Sequence, residues 1–239
     1  MTAPPITAVL FDFHQTLVTG GDAAGWLADG WADTGRGGDP VAGLGAAGAA
    51  EAAAFLDRVW EHAREVDPHA ERDTDPRRHR AVFEATVARC PGIDTDLAAG
   101  LYRTMADRWE PFDDTVPVLR ELRRRGVRTA VVSNIGFDVT GRLAETGIAP
   151  LVDAVLMSYA VGSVKPDPGI FEQALDRLGV GPEESLMVGD SWRDDGGAAS
   201  LGIRTLLLPR TAGPVHGLGA VLGLVASLAP SGGGADSSA

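Results

Sequence analysis

The stretch Ile6–Asp12, with the sequence ITAVLFD, decides the fold class. It is a short run of β-branched and apolar residues that gives way to polar residues from Asp12 onward. A run that is apolar at nearly every position is typical of a strand covered on both faces in a parallel sheet. The sequence therefore predicts a buried parallel strand that carries Asp12 at its C-terminal end.

Similar apolar runs and helical patterns alternate in the second half of the chain. The further predicted strands are Val127–Ser133, Ala154–Ser158, Ser185–Asp190 and Ile203–Leu208. The clearest helical patterns between them are Val116–Arg125, which ends in arginines before Gly126, and Gly169–Gly179, which has one apolar face. Strands and helices at this spacing predict right-handed crossovers and a doubly wound, parallel α/β sheet.

The segment from about Gly20 to Trp109 interrupts this alternation. Its first part, Gly20–Gly48, is rich in Gly, Ala and Asp and shows little periodicity, so no helix is predicted there. Three helical patterns follow, at Glu51–Val66, Pro76–Cys90 and Asp96–Trp109. Because no convincing strand pattern occurs, we predict a small helical domain inserted after the first strand.

These patterns predict the domain organisation. Residues 1–19 and 110–229 form the α/β core, and residues 20–109 form the helical insertion. Residues 230–239, with the sequence PSGGGADSSA, are predicted to be a disordered tail because they contain too little apolar material to pack.

Composition limits the class of protein. The 239-residue chain is 44% hydrophobic, which suits one or two compact domains. Its 33 acidic and 21 basic residues give a net charge of -12, which disfavours nucleic acid and anionic membranes as partners. The single cysteine, Cys90, excludes an intramolecular disulfide, and no apolar run reaches the roughly 20 residues of a membrane span. We predict a cytoplasmic protein, either a monomer or a homodimer, without a signal peptide.

Polar residues follow several of the predicted strands where each strand ends. They are Asp12, His14 and Thr16 after the first strand, Ser133 and Asn134 after the second, Lys165 after the third, and Asp190, Asp194 and Asp195 after the fourth. In open parallel sheets, ligands bind beyond the carboxyl ends of the strands, so these side chains are expected to converge. This set suits phosphoryl transfer.

Each residue type in this set has a chemical reason to be there. A carboxylate such as Asp12 can attack phosphorus and form an acyl phosphate. Carboxylates that face a phosphate need charge compensation, which Mg²⁺ supplies when bound by carboxylate oxygens, a backbone carbonyl and waters. A lysine neutralises further charge, while the Ser133 hydroxyl and backbone N–H groups can hold phosphate oxygens.

Four stretches together resemble the haloacid dehalogenase superfamily, in its helical-cap, phosphatase-like subgroup. They are Val9–Leu17 (VLFDFHQTL), Val131–Gly136 (VVSNIG), Val161–Phe171 (VGSVKPDPGIF) and Met187–Gly202 (MVGDSWRDDGGAASLG). The resemblance implies a Rossmann-like core with an inserted helical cap. It also implies that Asp12 is the nucleophile, that Ser133 and Lys165 bind phosphate, with Thr16 and Asn134 as further candidates, and that Asp190 holds Mg²⁺.

The second acid of the metal site stays open between two neighbours. Counting from Asp190 allows Asp194 or Asp195, and the spacing to Gly197 and Gly202 favours Asp194 slightly.

The chain departs from the family pattern two residues after the nucleophile. Phosphatases of this family usually have an aspartate there, which protonates the leaving group and then activates water, whereas this chain has His14. The His14 backbone carbonyl can still bind Mg²⁺, and an imidazole can also transfer protons. Gln15 replaces the usual glycine. The other histidines, His62, His69, His79 and His216, show no metal-ligand spacing and are predicted to lie at the surface.

Three functions are compatible with these residues. The first is Mg²⁺-dependent hydrolysis of a small phosphorylated metabolite. The second is metal-independent dehalogenation of a 2-haloacid, which uses the same nucleophile but is disfavoured by the acidic residues around Asp190. The third is non-catalytic binding of a phosphorylated ligand, for which His14 is the main support. The natural substrate is not predicted, because the insertion that would select it is the least informative part of the chain.

Overall fold

One parallel sheet forms the centre of the computed structural model, which describes residues 4–69 and 71–225. Its strands are β1 (Ala8–Phe11), β2 (Arg128–Ser133), β3 (Ala154–Met157), β4 (Ser185–Gly189) and β5 (Arg204–Leu207). The strand order is β3-β2-β1-β4-β5, and every pairing is parallel. The five predicted strands and the parallel α/β class are confirmed. The predicted tail at 230–239 lies outside the described residues.

Helices accompany the strands throughout. The α-helices are α1 (Ala23–Asp33), α2 (Pro40–Asp57), α3 (Val59–Val66), α4 (Pro76–Val87), α5 (Thr95–Arg103), α6 (Thr115–Arg124), α7 (Thr140–Glu145), α8 (Ser158–Val161) and α9 (Pro168–Leu178). Short 3-10 helices span Glu71–Thr74, Ala149–Leu151, Pro182–Glu184, Asp195–Leu201 and Leu218–Gly223.

Both faces of the sheet are covered, which explains the continuous apolar runs. Alternate residues of β1 belong to different apolar clusters: Val9 and Phe11 pack on the side of α6, and Leu10 packs on the side of α9. All of β1 is buried. The doubly wound arrangement predicted from the strand sequences is therefore present.

The central position of β1 places Asp12 in the middle of the carboxyl edge. In the strand register, Phe11 lies beside Val131 of β2 and Val188 of β4. The backbone N–H of Asp12 donates to the Val188 carbonyl at 2.9 Å, which extends the pairing by one residue. The chain runs from β1 to β2 and β3 on one side of β1 and then crosses over to β4 and β5 on the other side. The strand order therefore reverses at β1, and a crevice opens beyond its carboxyl end.

Helices α1 to α5 lie between β1 and β2 in the chain and share an apolar cluster with the α6 face of the sheet. Trp26, Leu56, Phe83 and Leu101 belong to this cluster together with residues of β1. A hydrogen bond from a side chain to the backbone joins the core to the insertion, because the Ser158 hydroxyl donates to the Asp73 carbonyl at 2.6 Å. A Cβ at Gly136 would lie 2.4 Å from the Cβ of His79, so the insertion approaches the core closely where β2 ends.

The prediction for the start of the insertion was wrong. Gly20–Gly48, for which no helix was predicted, contains α1 and the first half of α2. Each of these helices begins at an aspartate whose side chain accepts backbone N–H groups: Asp22 caps α1, and Asp39 caps α2 just before Pro40. The single helix predicted over Glu51–Val66 is instead two helices that break at Arg58.

Among the described residues, none of the helices combines the length and the apolar character that crossing a membrane requires.

Candidate active site

A buried lysine joins two buried aspartates beyond the carboxyl end of β1. The Lys165 Nζ lies 2.7 Å from Oδ1 of Asp12 and 2.7 Å from Oδ1 of Asp195. Lys165 is 2% exposed and Asp195 is 0% exposed. Lys165 is also the only lysine in a chain with 21 basic residues. A compact ammonium suits this position, because its rotatable donors reach both carboxylates from a single nitrogen.

Asn134 holds the backbone of Lys165 in place. The Asn134 Oδ1 accepts a hydrogen bond from the Lys165 backbone N–H at 2.7 Å, and its Nδ2 donates to the Lys165 carbonyl at 2.8 Å. Asn134 directly follows β2, so the sheet itself fixes the lysine loop. The Asn134 side chain, predicted as a phosphate contact, thus positions the lysine.

The other predicted phosphate-binding residues occupy different surroundings. Ser133 ends β2, is 2% exposed and lines the cavity above Asp12 and Lys165. Thr16 is 0% exposed, does not line that cavity, and has no hydrogen-bond partner for its hydroxyl among the described residues. The geometry brings Ser133, but not Thr16, to the cavity wall.

Three carboxylates form a cluster that could hold a metal ion. Oxygen atoms of Asp12, Asp190 and Asp195 all lie within 4.8 Å of one another. Asp190 follows β4, and its Oδ2 accepts a hydrogen bond from Nε of Arg210 at 2.5 Å. Hard carboxylate oxygens are the donors that Mg²⁺ prefers, so the donor set fits this ion.

Asp195, and not Asp194, belongs to the carboxylate cluster. Asp194, which the spacing favoured slightly, instead accepts a hydrogen bond from the Ser191 hydroxyl at 2.8 Å and lies 3.6 Å from Arg64. The residues after Asp194 form a 3-10 helix, Asp195–Leu201, and this turn brings Asp195 to the other two carboxylates. Such a helix rises about 2.0 Å per residue, against about 1.5 Å in an α-helix, so fewer residues cover the same distance.

Burial and charge set the ionisation of the cluster. Burial raises the pKa of Asp12, while the neighbouring Lys165 lowers it. Burial also raises the pKa of Asp195 to about 6. Burial alone would lower the pKa of Lys165, but its ion pairs with Asp12 and Asp195 outweigh this and raise the pKa above its ordinary value. The lysine is therefore a permanent cation, and added positive charge would favour the ionised carboxylates.

Residues of the insertion and of the core together line a cavity of about 130 Å³ at this cluster. The residues that it contributes to the wall are Trp60, Arg64, Arg72, Asp73, His79 and Trp109. A second cavity of about 360 Å³, lined by Trp60, Arg64, Arg72 and Arg210 among others, adjoins the first. The insertion thus supplies aromatic and cationic groups opposite the acidic cluster of the core.

His79 is a wall residue that the sequence prediction placed wrongly at the surface. It is 2% exposed, and its Nδ1 lies 2.9 Å from the Tyr102 hydroxyl. Burial, with a smaller effect of Arg72, lowers the pKa of His79 to about 3. The periodicity of α4 carried the signal, because the apolar residues Val82 and Phe83 follow His79 at helical spacing. His216, which was also predicted at the surface, is buried as well.

Comparison with known proteins identifies the family of this chain. A family model described as haloacid dehalogenase-like hydrolase matches residues 6–202. The chain belongs to the haloacid dehalogenase-like hydrolase family. This is the family that the four sequence stretches predicted.

Individual relatives of this hydrolase differ in their chemistry. A phosphoserine phosphatase from Thermus thermophilus is 35% identical over 143 residues, which cover 58% of this chain and 57% of the relative. The chain spans about half the length of the curated relatives that it matches.

Solved structures extend the likeness over most of the chain. An HAD phosphatase from Thermococcus onnurineus is similar with a TM-score of 0.62 and 25% identity, covering 92% of this chain and 99% of that one. A 2-haloacid dehalogenase from Pseudomonas syringae has a TM-score of 0.58 and 23% identity, covering 92% and 97%, and shows the shared fold alone.

The two residues by which this hydrolase departs from the family pattern have defined conformations. The ring of His14 packs on Trp109 at a centroid distance of 4.5 Å. Burial, with a smaller effect of Arg210, lowers the pKa of His14 to about 4, so the imidazole is neutral at pH 7. Gln15 has φ 67°, the only positive φ of a non-glycine residue among the described residues. The glycine usual in the family would adopt this conformation freely, whereas a side chain costs roughly 1–2 kcal/mol.

Proposed function

We propose that this hydrolase removes phosphate from a small phosphorylated metabolite through an aspartyl-phosphate on Asp12. In this proposal Mg²⁺ is held by Asp12, Asp190 and Asp195 and by the backbone carbonyl of His14. The observation that carries the proposal is the buried carboxylate cluster with a lysine between two of its members. The similarity to a phosphoserine phosphatase supports the same reaction class.

In the first step, a carboxylate oxygen of Asp12 attacks phosphorus and the bond from phosphorus to the ester oxygen breaks. The products are an acyl phosphate on Asp12 and an alkoxide or phenoxide, which takes up a proton from solvent water. Lys165 offsets the charge of the transferring group, and the Ser133 hydroxyl donates to a phosphoryl oxygen. Bound Mg²⁺ would supply further neutralisation of the phosphoryl oxygens.

In the second step, water attacks the phosphorus of the acyl phosphate, and inorganic phosphate leaves as the Asp12 carboxylate is restored. A neutral imidazole can accept the proton of this water, and His14 is neutral at pH 7 because its pKa is about 4. For the same reason His14 cannot give a proton to the leaving group in the first step. The proposal therefore assigns His14 to the second step only.

Two adjoining cavities offer places for the two parts of the substrate. The cavity of about 130 Å³ is lined by Asp12, Ser133 and Lys165, so we assign the phosphoryl group to it. The adjoining cavity of about 360 Å³ gives room for a short remaining portion of the substrate. Helices of the insertion line both spaces, and we propose that the insertion acts as a cap that selects the substrate.

Dehalogenation of a 2-haloacid is the second candidate, and His14 is the observation that favours it. In that reaction Asp12 would displace halide from carbon, and no metal would be needed. The carboxylates of Asp190 and Asp195 oppose this function, because they would repel the carboxylate of the substrate.

A direct test compares hydrolysis of 4-nitrophenyl phosphate with Mg²⁺ and with excess chelator, with release of chloride from 2-chloropropionate measured in parallel. We expect phosphate release that needs Mg²⁺, and no chloride release. Chloride release that persists in chelator, without phosphate release, would replace the proposal with the dehalogenase function.

The two neighbouring acids after Asp190 should respond differently to removal of charge. Asp195→Asn is expected to raise the Mg²⁺ concentration for half-maximal activity about 10- to 100-fold, because the proposal makes Asp195 part of the metal site. Asp194→Asn should leave it nearly unchanged, because Asp194 bonds Ser191 outside the carboxylate cluster. Titration of activity with Mg²⁺ measures the half-maximal concentration for both variants. A larger increase for Asp194→Asn than for Asp195→Asn would restore the assignment that the sequence spacing favoured.

His14→Asp should speed the hydrolysis of alkyl phosphates. An aspartic acid at this position can protonate the leaving alkoxide, and positioned acids contribute typically 10²- to 10⁴-fold, so we expect a gain of about 10²-fold in kcat for an alkyl phosphate. For 4-nitrophenyl phosphate, whose leaving group needs no proton, kcat should change little. His14→Asn is the matched control. An equal change for both esters would mean that the substitution acts without proton transfer.

A further inference from the structure

Arg72 is a buried cation of the insertion that lies close to the carboxylate cluster and is only partly hydrogen-bonded by the described residues. It lies in the 3-10 helix Glu71–Thr74 and is 7% exposed. Its Nε and Nη1 are buried and have no hydrogen-bond partner among the described residues. A guanidinium has five N–H donors, and leaving buried donors unpaired is costly. In the part of the chain that the structure describes, two nitrogens of this buried cation therefore have no hydrogen-bond partner.

The carboxylates nearest to the Arg72 guanidinium do not form well-aligned hydrogen bonds with it. The Nη2 lies 3.4 Å from Asp73 and the Nη1 lies 3.8 Å from Asp67, both too far for well-formed hydrogen bonds. Asp67 is already occupied, because it accepts the backbone N–H of Arg72 at 2.8 Å and contacts Arg78 at 3.3 Å. The guanidinium also lies over the Trp60 ring, 5.3 Å from its centroid, which holds its plane.

The backbone around Arg72 is fixed to the core. The carbonyl of the next residue, Asp73, accepts the Ser158 hydroxyl at 2.6 Å, and Ser158 directly follows β3. This contact sets the position of the Arg72 side chain relative to the strand ends. The unpaired donors are thus held in place by packing and hydrogen bonds.

Arg72 lines both the cavity above Asp12 and the larger adjoining cavity. Two other arginines share this position, but each differs from Arg72. Arg210 is bonded to Asp190, and the Arg64 side chain is 45% exposed and faces Asp194. Arg72 is therefore placed to meet the part of the substrate that extends away from the phosphoryl group.

We propose that Arg72 binds a carboxylate of the substrate, so that the physiological substrate is a phosphomonoester of a carboxylic acid. Guanidinium and carboxylate are complementary in shape and charge. Asp67 and Asp73 offset the positive charges of Arg72 and Arg78, which disfavours a dianionic second phosphate more strongly than a singly charged carboxylate. This inference rests on the proposed phosphatase function and adds the substrate class to it.

The test uses pairs of phosphate esters that differ in the carboxylate. O-phosphoserine is paired with O-phosphoethanolamine, and 3-phosphoglycerate is paired with glycerol 3-phosphate. The wild type should show a higher kcat/KM for the carboxylate member of at least one pair. Arg72→Gln should reduce that preference roughly 10- to 100-fold, as expected for loss of a charged hydrogen bond, and act through KM.

Arg78→Gln is the matched control. Arg78 also pairs with Asp67, but it does not line either cavity. This variant should keep the wild-type preference. Each preference is the ratio of the kcat/KM values of two substrates measured on one protein sample. Partial unfolding of a variant lowers both values by the same factor and leaves the ratio unchanged. If Arg72→Gln does not fold, the role of Arg72 is decided by comparing the carboxylate preference of the wild type with that of Arg72→Lys.

The outcomes separate the inference from the function on which it rests. Hydrolysis of 4-nitrophenyl phosphate without any preference for the carboxylate members in the wild type would overturn the role of Arg72 and leave the phosphatase function standing. An equal loss on both members in Arg72→Gln would make Arg72 a structural residue and overturn the inference as well. If no ester is hydrolysed, the phosphatase function fails. Calorimetric binding of the same four esters then tests Arg72, and equal affinities overturn its role.

Discussion

Asp12→Asn is expected to reduce phosphate release from 4-nitrophenyl phosphate by at least about four orders of magnitude, as removal of a covalent nucleophile typically does. The amide has nearly the shape of the carboxylate but no negative oxygen to attack phosphorus. Asp12 is suited to that attack, because the Lys165 ammonium, 2.7 Å from its Oδ1, opposes the rise in pKa that burial causes. The loss should therefore appear in kcat, with the fold preserved.

Two measurements make this prediction specific. Rapid acid quench of the wild type with radiolabelled phosphate ester should trap a protein-bound phosphate, and Asp12→Asn should trap none. Asp194→Asn serves as the matched control, since it removes an acid at the cavity wall that lies outside the carboxylate cluster. If Asp12→Asn kept activity within about tenfold of the wild type, a nucleophile other than Asp12 would have to be sought.

The core could be predicted from the sequence because the patterns that define its strands lie within short segments of the chain. A strand covered on both faces, such as β1, must be apolar along its whole length, so its limits are visible as an apolar run. The end of such a strand is visible as the change to polar residues. Once the strands are parallel, their carboxyl ends lie at one edge, and Asp12, Lys165 and Asp190 follow as neighbours without knowledge of any distance.

What the sequence did not reveal depends on geometry within a turn or on contacts across the insertion. The choice between Asp194 and Asp195 depends on a 3-10 helix, which has no distinctive sequence pattern. The side-chain bonds of Asn134 to the Lys165 backbone join residues 31 positions apart. Because its neighbours in the sequence are acidic and basic, Arg72 resembles a surface arginine, and only the fold shows that it is buried.

Lys165→Met should both inactivate the enzyme and destabilise it. The substitution keeps an apolar stem of similar length but removes the cation between Asp12 and Asp195, which are 8% and 0% exposed. Loss of one partner of a buried ion pair costs about 3–5 kcal/mol. Loss of one group that stabilises the transition state costs about 10²- to 10³-fold in kcat.

The loss of stability should depend on pH with a defined sign. Without Lys165, burial acts on Asp12 and Asp195 alone, so both pKa values rise further above those of the unfolded chain. A carboxylic acid whose pKa is raised by folding stabilises the folded state at pH values below its unfolded pKa, which is near 3.8. This stabilisation is lost as the pH rises through the pKa of the folded state, which for Asp195 is about 6 even in the wild type. The deficit of Lys165→Met relative to the wild type should therefore be largest at pH 8 and shrink toward pH 5.

Denaturant unfolding of both proteins at pH 8 and pH 5 measures this dependence, with 4-nitrophenyl phosphate turnover measured at pH 7. Arg120→Met is the control, because Arg120 is an exposed cation for which a change within about 0.5 kcal/mol is expected at either pH. A deficit that is equal at both pH values would mean that Lys165 stabilises the protein through packing. In that case its charge would not be what holds the two carboxylates ionised, and the electrostatic role of Lys165 in phosphoryl transfer would have to be given up.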